Sequence, residues 1–385
     1  MIKKSFLILL LFISGFSLIG QESEKPIIKV GGALRFNYNL SSWKPDQVKR
    51  GGDFGYDVFR INAKADFKKI SLNAEYRMYS QGFGGGMLKQ GWIAYKLNDK
   101  DHFQLGLTQV PFGITQYNSH NWFFSINYYV GLEDDHDMGL KYSHEGDQWS
   151  YSFAFFKNAE ELNFGNNSDI SDSRYSYDVS SITIEDGLKY RNKEVNQGNV
   201  KFAYKFGNSV KHKLGLSGQY GGLYNLDTRE IGNHYAFAAH YELNAGGFDI
   251  KAQVASYQYN PENPEGEDDD VIAMTAYGAP YLVAAQAHMY TLGIAYSFPV
   301  NWGFISNLQV YNDFGYMQKP LEGFENSIMN VTGVLVTAGQ VYTYIDFAAG
   351  KNQSWLGPDW TSALAQGNPD AELEMRFNIN IGYYF

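Results

Sequence analysis

From residue 27 to residue 385, apolar and polar side chains alternate in short runs separated by hydrophilic stretches. A period of two places successive side chains on opposite faces of a β-strand. The final run shows the pattern most cleanly: Met375, Phe377, Ile379, Ile381, Tyr383 and Phe385 fall on one face, and Arg376, Asn378, Asn380 and Gly382 on the other. Sixteen such runs predict strands over 27–39, 56–67, 70–79, 87–97, 103–109, 137–144, 148–157, 200–206, 211–220, 234–243, 248–257, 290–298, 302–313, 327–337, 340–348 and 372–385.

The connections carry as much information as the runs. Tight turns at 68–69, 98–101, 207–209, 244–247 and 299–301 alternate with long segments such as 158–199, 258–289 and 349–371. This predicts an all-β fold, a transmembrane antiparallel β-barrel of about 16 strands with short periplasmic turns and long extracellular loops. A soluble β-sandwich also uses alternating strands, but its loops need not alternate in length. No linker divides residues 21–385, which read as one barrel domain.

Composition supports a membrane barrel. Aromatic residues reach 17% and Gly 40 against Pro 10, yet beyond the first twenty residues no stretch has the ~18 consecutive apolar residues of a spanning helix. Only alternate strand residues of a barrel meet lipid, so such a chain stays polar on average. Residues 1–20 combine Lys3 and Lys4, an apolar run and a small-residue exit, and read as a secretory signal peptide cleaved near Gly20. Cys 0 gives neither a lipid anchor nor a disulfide framework. Without the signal lysines the formal charge of -10 becomes about -12, which argues against nucleic acid as a partner.

Turning polar faces inward puts Arg35, Arg60, Lys64, Arg77, Lys201, Lys205, Lys213, Lys251 and Arg376 in the lumen with Lys141, alongside the acids Glu75, Asp66, Glu242, Asp249 and Asp313. Arg35, Arg60, Arg77 and Arg376 could share one sector, because closure makes the last strand a neighbour of the first. Two uses are open: a basic ladder guiding anions, or arginines paired with Glu75 and Asp66 that hold the barrel's shape. Tyr383 and Phe385 at the final strand read as the signal for the barrel-assembly machinery, and with Trp149 and Trp302 as interfacial aromatics.

Three stretches point to a family. Leu105 to Gly113 contains Gly106, Pro111, Phe112 and Gly113 in a Gly-x-x-x-x-Pro-Phe-Gly run, which resembles the strand-to-loop motif of the phosphate-selective porin O/P family. Asp137-Met138-Gly139-Leu140 with Tyr151 to Asn158 is similar to that family's next hairpin, and the strand Phe377 to Phe385 fits its ending. The resemblance implies a sixteen-stranded passive diffusion pore, usually a homotrimer, whose third loop folds inward as a constriction. Here that loop is 110–136, with Tyr117, His120, Trp122, Tyr128, Glu133, Asp134 and Asp135. It contains no Lys or Arg, whereas a phosphate filter needs cationic donors.

Other features have blander and sharper uses. The acidic run with Asp268, Asp269 and Asp270 is a solvated loop or a structural Ca²⁺ site, and no other cofactor is expected. The loop aromatics either pack against the wall or stack on ring-bearing solutes. No G-x-S-x-G or H-E-x-x-H occurs, and His234 and His240 are six residues apart on one strand, too far for one metal, so no enzyme is expected. The sequence thus points to an outer-membrane porin for small hydrophilic solutes or ions, with lipid around it and anion preference as one option. The alternative is a structural or adhesive barrel that binds a partner through its long loops.

Overall fold

The computed structural model of the chain describes residues 25–160, 173–183 and 189–385; the expected signal peptide lies outside the described residues. Sixteen antiparallel strands form one closed barrel. They are β1 (Ile27–Ser41), β2 (Asp53–Phe67), β3 (Ile70–Met78), β4 (Gly86–Lys96), β5 (Asp101–Gln109), β6 (His136–Glu145), β7 (Trp149–Ala159) and β8 (Asn192–Phe206). The circuit continues with β9 (Lys211–Asn225), β10 (Ile231–Ala245), β11 (Phe248–Asn260), β12 (Gln286–Trp302), β13 (Ile305–Gln318), β14 (Ser327–Ala338), β15 (Val341–Lys351) and β16 (Glu374–Tyr384). Each strand pairs with its sequence neighbours, and β1 closes on β16 with Ala33 opposite Tyr384 and Ser41 opposite Arg376.

Alternation builds two different faces. Outward positions such as Ile61, Leu72, Ile93, Leu105, Phe155, Leu216, Phe237, Leu292 and Ile381 are exposed apolar residues around the whole circumference. An apolar belt of this kind has no use in water and is solvated by lipid. Trp149, Trp302, Tyr383 and Phe385 are exposed near the short-turn ends of their strands. Closure removes the sandwich alternative, since every strand of the barrel wall is paired on both sides.

Two expectations are corrected. The turn expected at Pro299-Val300-Asn301 is part of β12, and Trp302 belongs to that strand rather than opening the next. The pairing shifts register between Pro299 and Trp302, so the proline sits beside a bulge, and the chain turns instead at Gly303, with φ +63°. The strands beside the large loops also run farther than their apolar alternation, as in β8, which begins at Asn192 rather than Val200. Hydrogen bonding continues there after the lipid-facing pattern has ended.

The long-loop half of the lumen is not empty. Loop residues Phe123, Ile126, Tyr128, Tyr129, Tyr175, Tyr177, Tyr281 and Leu356 join wall residues such as Tyr257 and Met289 in one buried apolar cluster. Against it the partly buried Phe124 stacks on Tyr128 at 4.1 Å between ring centroids. The connection between β11 and β12 contributes a hairpin of its own, Val271–Ala276 with Ala279–Ala284. Four connections therefore pack together as a plug.

Candidate functional site

The segment between β5 and β6 crosses the lumen and is held by polar wall residues. The Gly113 N–H donates to Ser217 Oγ at 2.9 Å, Ile114 N–H to Gln253 Oε1 at 2.8 Å, and Asn118 Nδ2 to Thr291 Oγ1 at 2.8 Å. Asp313 on β13 accepts from the backbone N–H groups of His120 and Asn121 at 2.8 and 3.0 Å and from Asn121 Nδ2 at 2.7 Å. His120 Nδ1 lies 2.8 Å from the same carboxylate, and its Nε2 3.6 Å from Asp249. Burial opposes a charge on His120, but the two carboxylates outweigh it and raise the imidazolium pKa. Lys251 donates to the carbonyl oxygens of Tyr117 and Ser119 at 3.0 and 3.1 Å.

The acids at the end of this loop are buried. Glu133 accepts from the N–H groups of Asn118 and Ser125 and from Ser125 Oγ, and burial still pushes its carboxyl up to about 7. Asp134 accepts from Lys89 Nζ at 2.5 Å, Tyr175 OH at 2.7 Å and Gln109 Nε2 at 2.9 Å. Trp122 packs edge-on against Phe123, and Tyr128 is buried, whereas Tyr117 stays 41% exposed and faces accessible space. At least Trp122 and Tyr128 are thus packing residues.

The arginines of the first three strands are paired. Arg35 Nε lies 2.9 Å from Asp57 Oδ2, while Arg77 Nε and Arg60 Nη1 lie 2.6 and 3.3 Å from Glu75 Oε1. Arg376 lies on the strand next to β1 but at a different height. It sits opposite Ser41, six residues along β16 from the Gly382 that faces Arg35, a separation of about 20 Å. Its guanidinium instead lies over the rings of Trp43 and Phe123. Lys64 is exposed on β2, and Asp66 is bound by Lys96 and Ser71 rather than by an arginine.

Lysines gather on the opposite wall. Lys141, Lys201, Lys205 and Lys213 line one cavity of about 260 Å³ with Gln104, Thr115 and Ser152 among its neutral donors. Glu145 is the acid in that lining and lies 3.4 Å from Lys205, while Glu242 holds Lys213 at 2.8 Å. Lys141 donates to the Gln109 carbonyl at 2.6 Å and Lys201 to Thr115 Oγ1 at 3.0 Å, both belonging to the approach to the loop. The cavity is therefore a cationic chamber at the foot of the loop. Its polar groups suit an anion, since ammonium and hydroxyl donors give charge-assisted hydrogen bonds.

Asp268, Asp269 and Asp270 are exposed, and the carboxylates of Asp268 and Asp269 accept locally, from the Asp270 N–H and from Asn263 Nδ2. The inward position of Lys89 was not anticipated. It occupies the unpaired position of a bulge in β4, where Gln90 faces Glu75 and Leu88 faces Tyr76. A lysine at a position that regular alternation gives to lipid was the available signal.

No protein-family model and no curated relative matches the chain. Solved structures do. The outer membrane protein OmpT of Vibrio cholerae, in its trimer form, superposes with a TM-score of 0.57 at 13% identity, over 94% of this chain and 100% of that one. An anion-selective porin from Comamonas acidovorans gives 0.58 at 11% identity over 94% and 100%. The outer membrane channel DcaP of Acinetobacter baumannii gives 0.58 at 9% identity over 96% and 100%. The apolar belt and this shared architecture together make the chain an integral outer-membrane β-barrel of porin-like fold.

Proposed function

We propose that the barrel is a porin that lets small hydrophilic solutes diffuse passively across the outer membrane, with a preference for anions. The cavity of Lys141, Lys201, Lys205 and Lys213 carries this reading, because four lysines against the two acids Glu145 and Glu242 favour negative solutes beside the crossing loop. Accessible surface on Tyr117, and on the side chains of Lys213 and Asp249, supports a wet passage beside that loop. Likeness in fold to an anion-selective porin and to a trimeric barrel supports the same use and a homotrimeric state. Kinship to the phosphate-selective O/P porins rests on the motif around Pro111-Phe112-Gly113, the hairpin of Asp137 to Asn158 and the final strand.

The tyrosine-rich plug favours a second reading, a partner-binding barrel whose lumen is blocked. Single-channel recording in a planar bilayer under a salt gradient separates the two. Steady ohmic conductance with an anion-selective reversal potential supports the porin. A folded barrel that passes no current overturns it in favour of the blocked form.

A further inference from the structure

A different cluster of charge lies where the crossing loop leaves the lumen. Asp135 ends that loop, Asp137 belongs to β6, and Asp178 lies in the short strand Asp178–Val179 of the next connection. One carboxylate oxygen of each lies within 4.8 Å of the other two, and all three residues are buried. Two oxygens bound to one Ca²⁺ at about 2.4 Å can be at most about 4.8 Å apart, so the spacing is that of ligands sharing an ion.

A second observation points to what is missing. Among the described residues, Asp135 Oδ1 and Asp137 Oδ1 have no hydrogen-bond partner, although the two residues are only 7% and 2% exposed. Buried carboxylate oxygens without donors are costly, and a cation supplies the absent partner. Glu160 and Glu194 are buried against the same group, and Arg174 approaches Asp178 at 3.8 Å. Burial and the neighbouring carboxylates, Asp178 first among them, push Asp135 well above the ordinary carboxylate range. An all-oxygen donor set selects a hard cation rather than a transition metal.

We propose that Asp135, Asp137 and Asp178 hold a divalent cation of the calcium type, which ties the exit of the crossing loop to the connection between β7 and β8. The site is separate from the lysine cavity and does not depend on the transport reading. Its effect is to fix the plug against the wall.

The test is calcium titration calorimetry on the full-length, detergent-folded protein after EDTA treatment and dialysis. The wild type takes up Ca²⁺ at this site, and Asp135→Asn with Asp178→Asn weakens that uptake by about 100-fold or more. Substituting Asn for Asp268, Asp269 and Asp270 leaves it in place. Absence of Ca²⁺ uptake at millimolar concentration overturns the proposal, as does uptake that survives the first variant or vanishes with the second. Should the first variant not fold, the wild type alone decides through the temperature at which it loses its heat-modifiable migration. Readdition of Ca²⁺ after EDTA raises that temperature if the site exists, and an unchanged temperature overturns it.

Discussion

The ammonium of Lys89 and the carboxylate of Asp134 meet at 2.5 Å, both side chains almost fully buried, and so join wall strand β4 to the loop that crosses the lumen. Removing one member of a buried pair leaves the other charge in a desolvated space. Lys89→Met is therefore expected to destabilise the barrel by about 3 kcal/mol, and Lys89→Met with Asp134→Asn by less, because no lone charge remains. Urea unfolding in detergent, followed by tryptophan fluorescence, checks the order of the two variants.

Selectivity is expected to follow the lysines rather than the arginines. Lys201→Glu with Lys205→Glu reverses charge in the cavity and should move the reversal potential toward cation preference. Arg77→Glu should instead reduce the yield of folded barrel, since it sets a second carboxylate beside buried Glu75. Reversal potentials and folded yields, measured for both, discriminate wall chemistry from wall architecture.

His120 gives the loop a pH dependence. Its pKa is raised above the ordinary value of about 6.5 by Asp249 and Asp313 against the opposing effect of burial and of Lys251. A raised histidine contributes stability that is full below about pH 6.5 and is lost as pH rises through the folded pKa. Proteolytic protection of residues 113–125 should fall over that alkaline rise, and His120→Gln should flatten the curve. An identical profile in the variant would assign the dependence to another group.

The seam between β1 and β16 is expected to be intolerant of bulk. Gly32 and Phe385 exchange backbone hydrogen bonds at 2.9 and 3.1 Å, and a Cβ on Gly32 would meet the Arg60 carbonyl oxygen and the Phe385 ring. Gly32→Val and deletion of Phe385 should both lower the fraction that migrates as a folded, heat-modifiable barrel. Tyr383→Ala, which alters only an exposed ring, should lower it less.

Strand number, order and facing were legible because lipid on one side and a polar interior on the other enforce a strict period of two, as the run from Met375 to Phe385 shows. What the period could not convey lies at its interruptions. Asp57 and Lys89 sit at bulges in β2 and β4, where one extra residue turns a charged side chain inward that simple alternation assigns elsewhere. Lys201, Lys205 and Lys213 were readable as inward residues, but their convergence with Lys141 depends on the relative heights of β6, β8 and β9, which residue spacing along one strand does not encode. The apolar plug was hidden for another reason. Its tyrosines lie in connections without periodicity, such as Tyr175 and Tyr177, and bury themselves against one another and against wall residues rather than along a strand face.

The bonds between Gly32 and Phe385 also make the barrel a ring with no privileged starting point. Fifteen neighbouring pairs are formed by strands adjacent in the chain and one by its two ends, yet the completed cylinder is antiparallel all the way round. A short linker from Phe385 to the residues before Gly31, with new termini opened at Gly339-Gln340, would move the seam without removing a single wall hydrogen bond. The order in which strands are made would then be free to change while the finished wall stayed the same.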